Sequence, residues 1–115
     1  MTTVVNRRRT RAYGIYIGRA YSMEHESPYH NPFRIGKDGD RDEVLLKFII
    51  YWYADEQRAL RERAYRELPF RILGCWCSPL PCHGDIIAGY VNWREMMECP
   101  TKLLEPTYRK YTDFI

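Results

Sequence analysis

No apolar run in this 115-residue chain approaches the roughly 18 residues that a membrane-spanning helix requires, and no apolar stretch follows the early positive charges as a secretory leader needs. The expectation is a soluble, cytoplasmic protein with no membrane contact. A general excess of charge is lacking too. Of 18 Lys and Arg, four (Arg7, Arg8, Arg9 and Arg11) fall in the first twelve residues, leaving 14 against 15 acidic residues elsewhere. The net charge of +3 therefore describes a basic arm on a neutral body, suited to tracking phosphates or to keeping a tail in water. The chain is also too short for a second core, so one domain is expected over residues 13–100, with an arm over 1–12 and a C-terminal extension over 101–115. Cysteine is scarce outside one segment. In a reducing compartment those thiols stay free or bind metal, which argues against a disulfide framework, and Cys99 reads as a bystander.

Hydrophobic residues at 45% and charged residues at 29% are ordinary globular usage, while ten Tyr and three Trp suit a small core first and a stacking surface second. The run Tyr13 to Ile17 is β-branched and aromatic and predicts a buried strand, with Val4 and Val5 a candidate for another. Breakers then recur through residues 20–40, which predicts a long binding loop ordered by Tyr21, His25, Tyr29, His30 and Phe33. Asp40 with Glu43 forms a capping-box pattern and starts a helix at Arg41. Val44, Leu45, Phe48, Ile49 and Trp52 share one face, and Leu46, Ile50 and Tyr53 widen it until little of the helix is expected in water. Asp55 caps a second helix through Glu67 with a narrow Leu60, Ala64, Leu68 stripe, stopped by Pro69. Phe70 to Trp76 predicts a second firm strand, and a third helix begins near Cys82 or His83 and stops before Pro100. Strands separated by helices pair in parallel, so the expected fold is α/β, a small Rossmann-like three-layer unit with a short parallel sheet and about three helices.

Residues 75 to 83, Cys-Trp-Cys-Ser-Pro-Leu-Pro-Cys-His, hold most of the chemistry. On a strand, Cys75 and Cys77 face one side, and a proline-stiffened loop can return Cys82 to the same point. With His83 the set is Cys3His, suited to tetrahedral zinc. Adjacent residues at a helix start diverge, however, so His30 or His25 is an alternative fourth ligand. A second reading places Cys82 and His83 at a helix N-terminus as a reactive thiol or anion pocket without metal, and a third has the cysteines simply packing.

Ligands of open parallel sheets bind outside the carboxyl ends of the strands, here Gly18-Arg19 and the cysteine loop. Arg19 is the candidate phosphate or carboxylate cation, with Arg34 and Arg41 on the same rim. Gly84 permits close approach of backbone to ligand, and Asp85 is a candidate base or partner of His83.

Gly18-Arg19 after a strand, Asn31-Pro32-Phe33 followed by Gly36, Asp40-Arg41, and Leu73-Gly74-Cys75-Trp76-Cys77 with Pro79 and Cys82-His83-Gly84-Asp85 resemble an uncharacterised family of small domains common in phage genomes. The resemblance covers roughly residues 13 to 93, and the segment from Ser22 to Tyr29 is longer and more acidic than that pattern. It implies a fold unit and a phage-like origin in a host cytoplasm, with Gly18, Asn31 and Arg34 joining Arg19 as candidate ligand contacts. Two functions fit. One is a zinc-stabilised module that binds a nucleotide, nucleic acid or host protein. The other is an enzyme acting on a nucleotide or base through Cys82, His83 and Asp85 or a metal-bound water.

Overall fold

In the computed structural model, which describes residues 1–9, 14–21 and 24–98, the chain forms a mixed α/β globule around a three-stranded parallel sheet. The elements are β1 (Thr3–Asn6), β2 (Ile15–Tyr16), α1 (Arg41–Tyr53), a 3-10 turn (Asp55–Gln57), α2 (Arg58–Glu67), β3 (Ile72–Cys75) and α3 (His83–Glu98). Strand order is β1-β3-β2, so the last strand in sequence is the central one. Its register sets Asn6 opposite Cys75 and Tyr16 opposite Gly74. All three strands therefore end together, on the edge where the cysteine loop begins.

Val4 and Val5 fall in a strand, as their β-branched pair suggests, so Thr3–Asn6 belongs to the sheet rather than to a basic arm over residues 1–12. Thr2 is buried, with its hydroxyl donating to Leu68 O at 2.8 Å and its amide to Asn92 Oδ1 at 2.7 Å. The partner of β1 is β3, remote in sequence, with Thr3 opposite Ile72. The extension from residue 101, Cys99 and Arg11 lie outside the described residues.

Helix α1 starts at Arg41 as the capping box dictates, with Asp40 Oδ1 accepting from Glu43 N at 2.9 Å and Glu43 Oε1 from Asp40 N at 3.2 Å. It is not buried all round. Only Val44, Phe48 and Trp52 are buried, while Leu46, Ile49, Ile50 and Tyr53 are exposed, because strands of two to four residues offer too little surface to cover a second helix face. Phe48 stacks on Trp52, whose ring meets Tyr90 of α3 edge-on. Ala64 and Leu68 are fully buried and Leu60 packs against the core, the stripe expected for α2.

Helix α3 approaches the sheet closely at its first turn. A Cβ at Gly84 would lie 2.7 Å from Ile17 Cδ1, 3.2 Å from Val4 Cγ1 and 3.3 Å from Cys82 Sγ, so a larger residue would force the Ile17 side chain to shift in a packed core. Gly89, exposed on the same helix, would meet nothing within 4 Å. Opposite effects follow from one substitution. By urea unfolding, Gly84→Ala should lose about 1–3 kcal/mol through overpacking, whereas Gly89→Ala should gain roughly 0.5–1 kcal/mol through helix propensity.

Candidate functional site

The carboxyl ends of the strands are pinned to one another before any ligand is considered. Asn6 Nδ2 donates to Trp76 O at 3.2 Å and Ser78 O at 2.8 Å, so the end of β1 holds the cysteine loop. Tyr16 Oη donates to Arg19 O at 2.6 Å and accepts from Trp76 Nε1 at 2.7 Å, which joins β2 to the same loop. Gly18 leaves room for this, since a Cβ there would fall within 2.6 Å of Tyr16 Cζ.

Between these ends, the loop around Asn31 to Ile35 and the first turns of α1 and α3 lies a cavity of about 370 Å³. Tyr16, Tyr21, Phe33 and Trp76 supply aromatic surface, and Tyr21 meets Trp76 edge-on with centroids 5.0 Å apart. Arg7 and Arg8 place their guanidiniums 5.0 and 5.4 Å from the Trp76 ring centre, which brings the charge of the expected arm against the cavity wall. The sequence reading missed Tyr16 and Trp76. Their signal was position: Tyr16 stands two residues before Gly18, and Trp76 lies between two of the cysteines.

Arg19, Arg34 and Arg41 all line the cavity. Arg19 donates through one terminal nitrogen to Asn31 O at 2.6 Å and Phe33 O at 2.7 Å, tying the long loop over the strand ends. Burial, and next the nearby charge of Arg34, push its pKa below the usual arginine value. Arg41 donates to Pro81 O at 2.8 Å and closes the opposite side. Among the described residues none of the three takes part in an ion pair. Asn31 lines the cavity as expected, although its Oδ1 accepts from Phe33 N at 2.9 Å and so serves the turn.

The Cys/His segment separates into two parts. Strand β3 ends at Cys75, so Cys77 sits in the following turn rather than on the strand face assumed for it. Cys75 and Cys82 are buried with their sulfurs 3.5 Å apart, the Cys82 thiol donating to Cys75 Sγ, which also accepts from Ser78 N at 3.3 Å. The bond from Cys82 lowers the pKa of Cys75; donating it raises that of Cys82. His83 lines the same cavity, tied to other partners. Its Nε2 lies 2.8 Å from Ile17 O, which can only accept, so this nitrogen carries the proton and the ring packs edge-on against Phe48. His30 is engaged too, with Nδ1 at 2.7 Å from Ser27 O.

Gly84 faces Ile17 and Val4 in the core rather than the cavity. Asp85 is exposed and its Oδ2 accepts from Cys82 N at 3.0 Å, which makes it a cap of α3 and not a partner of His83. Among the described residues no three His, Cys, Asp or Glu side chains converge as a metal-binding group. Cys75, Cys77, Cys82 and His83 nevertheless all line the one cavity, and the sulfurs in hydrogen-bond contact are those of Cys75 and Cys82.

Fold and site together define a small parallel α/β domain with a basic, aromatic-walled cleft at the carboxyl ends of its strands. The chain belongs to the family described as domain of unknown function DUF4326, whose model matches residues 5–93. The match begins within β1 and ends within α3, so it includes every residue that lines the cleft. No curated protein and no solved structure matches the chain.

Burial drives the pKa of His83 down to about 4, against 6.5 for a free imidazole, with the positive charges of Arg19 and His30 adding to the effect. Because the folded value is depressed, unfolding takes up a proton between these limits. The contribution is complete above pH 6.5 and is lost as the pH falls to about 4. Urea unfolding at pH 7 and pH 4.5 should show wild type losing on the order of 2 kcal/mol more than His83→Gln over that interval. Equal losses would mean that His83 is not held neutral.

Proposed function

We propose that the cleft binds a mononucleotide-type ligand, an anionic phosphate joined to a planar aromatic group. The observation that carries this reading is the presence of Arg19, Arg34 and Arg41, none in an ion pair among the described residues, in one cavity with Tyr16, Tyr21, Phe33 and Trp76. Like charges held together beside low-dielectric walls favour an anion, and guanidinium forks match phosphate oxygens. Aromatic faces and edges accept a base by stacking or T-shaped contact. At about 370 Å³ the cavity suits one small ligand rather than a length of nucleic acid. Its place at the ends of parallel strands is where α/β sheets hold such ligands.

Arg34 is the informative residue. Its side chain is exposed and makes no hydrogen bond to the described residues, so removing it tests the ligand and not the fold. In calorimetric titrations with nucleoside monophosphates, Arg34→Ala should weaken binding about tenfold and leave the melting temperature unchanged. Raising salt should weaken wild-type binding as well. If no monophosphate binds, or Arg34→Ala binds as tightly as wild type, the reading fails.

A further inference from the structure

Beneath the arginines the floor of the cleft carries a chemistry that ligand binding does not use. Cys75, at the end of the central strand, and Cys82, the residue before α3, both line the cavity, and their sulfurs lie 3.5 Å apart. They are held from two sides. The Cys75 backbone is fixed by its oxygen accepting from Arg7 N at 2.7 Å, and Cys82 by its amide donating to Asp85 Oδ2. The intervening turn is clamped by Asn6 and by Leu80 N donating to Cys77 O at 2.8 Å. Cys75 Sγ accepts two hydrogen bonds, from Ser78 N and from the Cys82 thiol, an arrangement that stabilises a thiolate at Cys75 and leaves the proton on Cys82.

We propose that Cys75 and Cys82 form a peroxide-reactive dithiol, Cys75 attacking the oxidant and Cys82 resolving it to an intramolecular disulfide. In the first step the Cys75 thiolate attacks one oxygen of the hydroperoxide. An S–O bond forms, the O–O bond breaks, and the departing oxygen leaves as water or alcohol after taking a proton from solvent. In the second, Cys82 sulfur attacks Cys75 sulfur. The S–S bond forms, the S–O bond breaks, and the hydroxyl leaves as water with the Cys82 proton. Two thiols lose two electrons, and the peroxide is reduced by two. Closing the gap from 3.5 Å to the roughly 2.05 Å of a disulfide is a local movement. The oxidant class follows from burial, since Cys75 and Cys82 are 2% and 3% exposed and bulky disulfide reagents cannot reach them.

The test is peptide mapping of the reduced wild-type protein after one equivalent of hydrogen peroxide, with free thiols trapped by an alkylating agent. The expected result is a cross-linked Cys75–Cys82 peptide, alkylated Cys77 and Cys99, and full reversal by dithiothreitol. Cys82→Ser should stop at a Cys75 sulfenic acid that dimedone captures, and Cys75→Ser should give neither product. The proposal is overturned if peroxide leaves both thiols free, if Cys75 pairs instead with Cys77 or Cys99, or if Cys75 passes to sulfinic acid without a disulfide. It is equally overturned if the purified protein carries one equivalent of zinc through Cys75, Cys77 and Cys82 and resists oxidation until chelated. The wild-type map decides the matter even if a variant fails to fold.

Discussion

The seating of the first turn of α3 on the strand ends is the contact on which the rest of the site depends. Gly84 brings the helix within reach of Ile17 and Val4, where a Cβ would crowd both side chains. That approach sends His83 inward to the Ile17 carbonyl and holds Cys82 beside Cys75. Asp85 closes the helix end through the Cys82 amide. One small residue thus sets the positions of a buried neutral imidazole and a thiol pair. Each of these groups would be costly or inert elsewhere: an imidazole in the core needs its partner carbonyl, and a thiol acquires reactivity only from its neighbours.

Around the same cleft stands a second constraint, three arginines of which none takes part in an ion pair among the described residues, although Glu26 and Asp38 lie near enough to Arg19 to favour its charge. Arg19 spends two hydrogen bonds on the carbonyls of Asn31 and Phe33, which order the loop but leave its net charge in place. Arg34 stands close enough to oppose ionisation of Arg19, second only to burial in lowering its pKa. Elsewhere the protein pairs its charges readily: Arg94 meets Glu62 and Glu98 and lies over the Tyr65 ring. The contrast between that satisfied arginine and the three at the cleft is the physical basis for reading the cleft as an anion site.

Much of this was legible in the sequence wherever the cause is local. The start of α1 follows from Asp40 and Glu43 three residues apart, and the parallel sheet follows from β-branched runs separated by helices. Placing Arg19 beside the cysteine loop followed from the rule that parallel strands gather their ligands at one edge. The misses share a different cause. Val4 and Val5 gave the strand at Thr3–Asn6 as a candidate, but the arginines after it also suggested a charged arm, because its pairing with β3 is remote in sequence. Helix α1 reads as apolar all round, yet how much of it is covered depends on the area of a sheet that no helix pattern reveals. His83 adjoins Cys82 in the chain, but neighbouring side chains at a helix start point apart, and its ring is tied to the Ile17 carbonyl and packed edge-on against Phe48 at the cavity wall.

The central claim is that the strand-end cleft recognises an anionic aromatic ligand. Backbone amide NMR shifts recorded during titration with a nucleoside monophosphate test it most directly, because they locate the contact without relying on any variant. The account predicts saturable shifts confined to Gly18 to Tyr21, Asn31 to Ile35 and Trp76 to His83, with α2 unmoved. Shifts centred on the exposed face of α1, or none at saturating ligand, would contradict it.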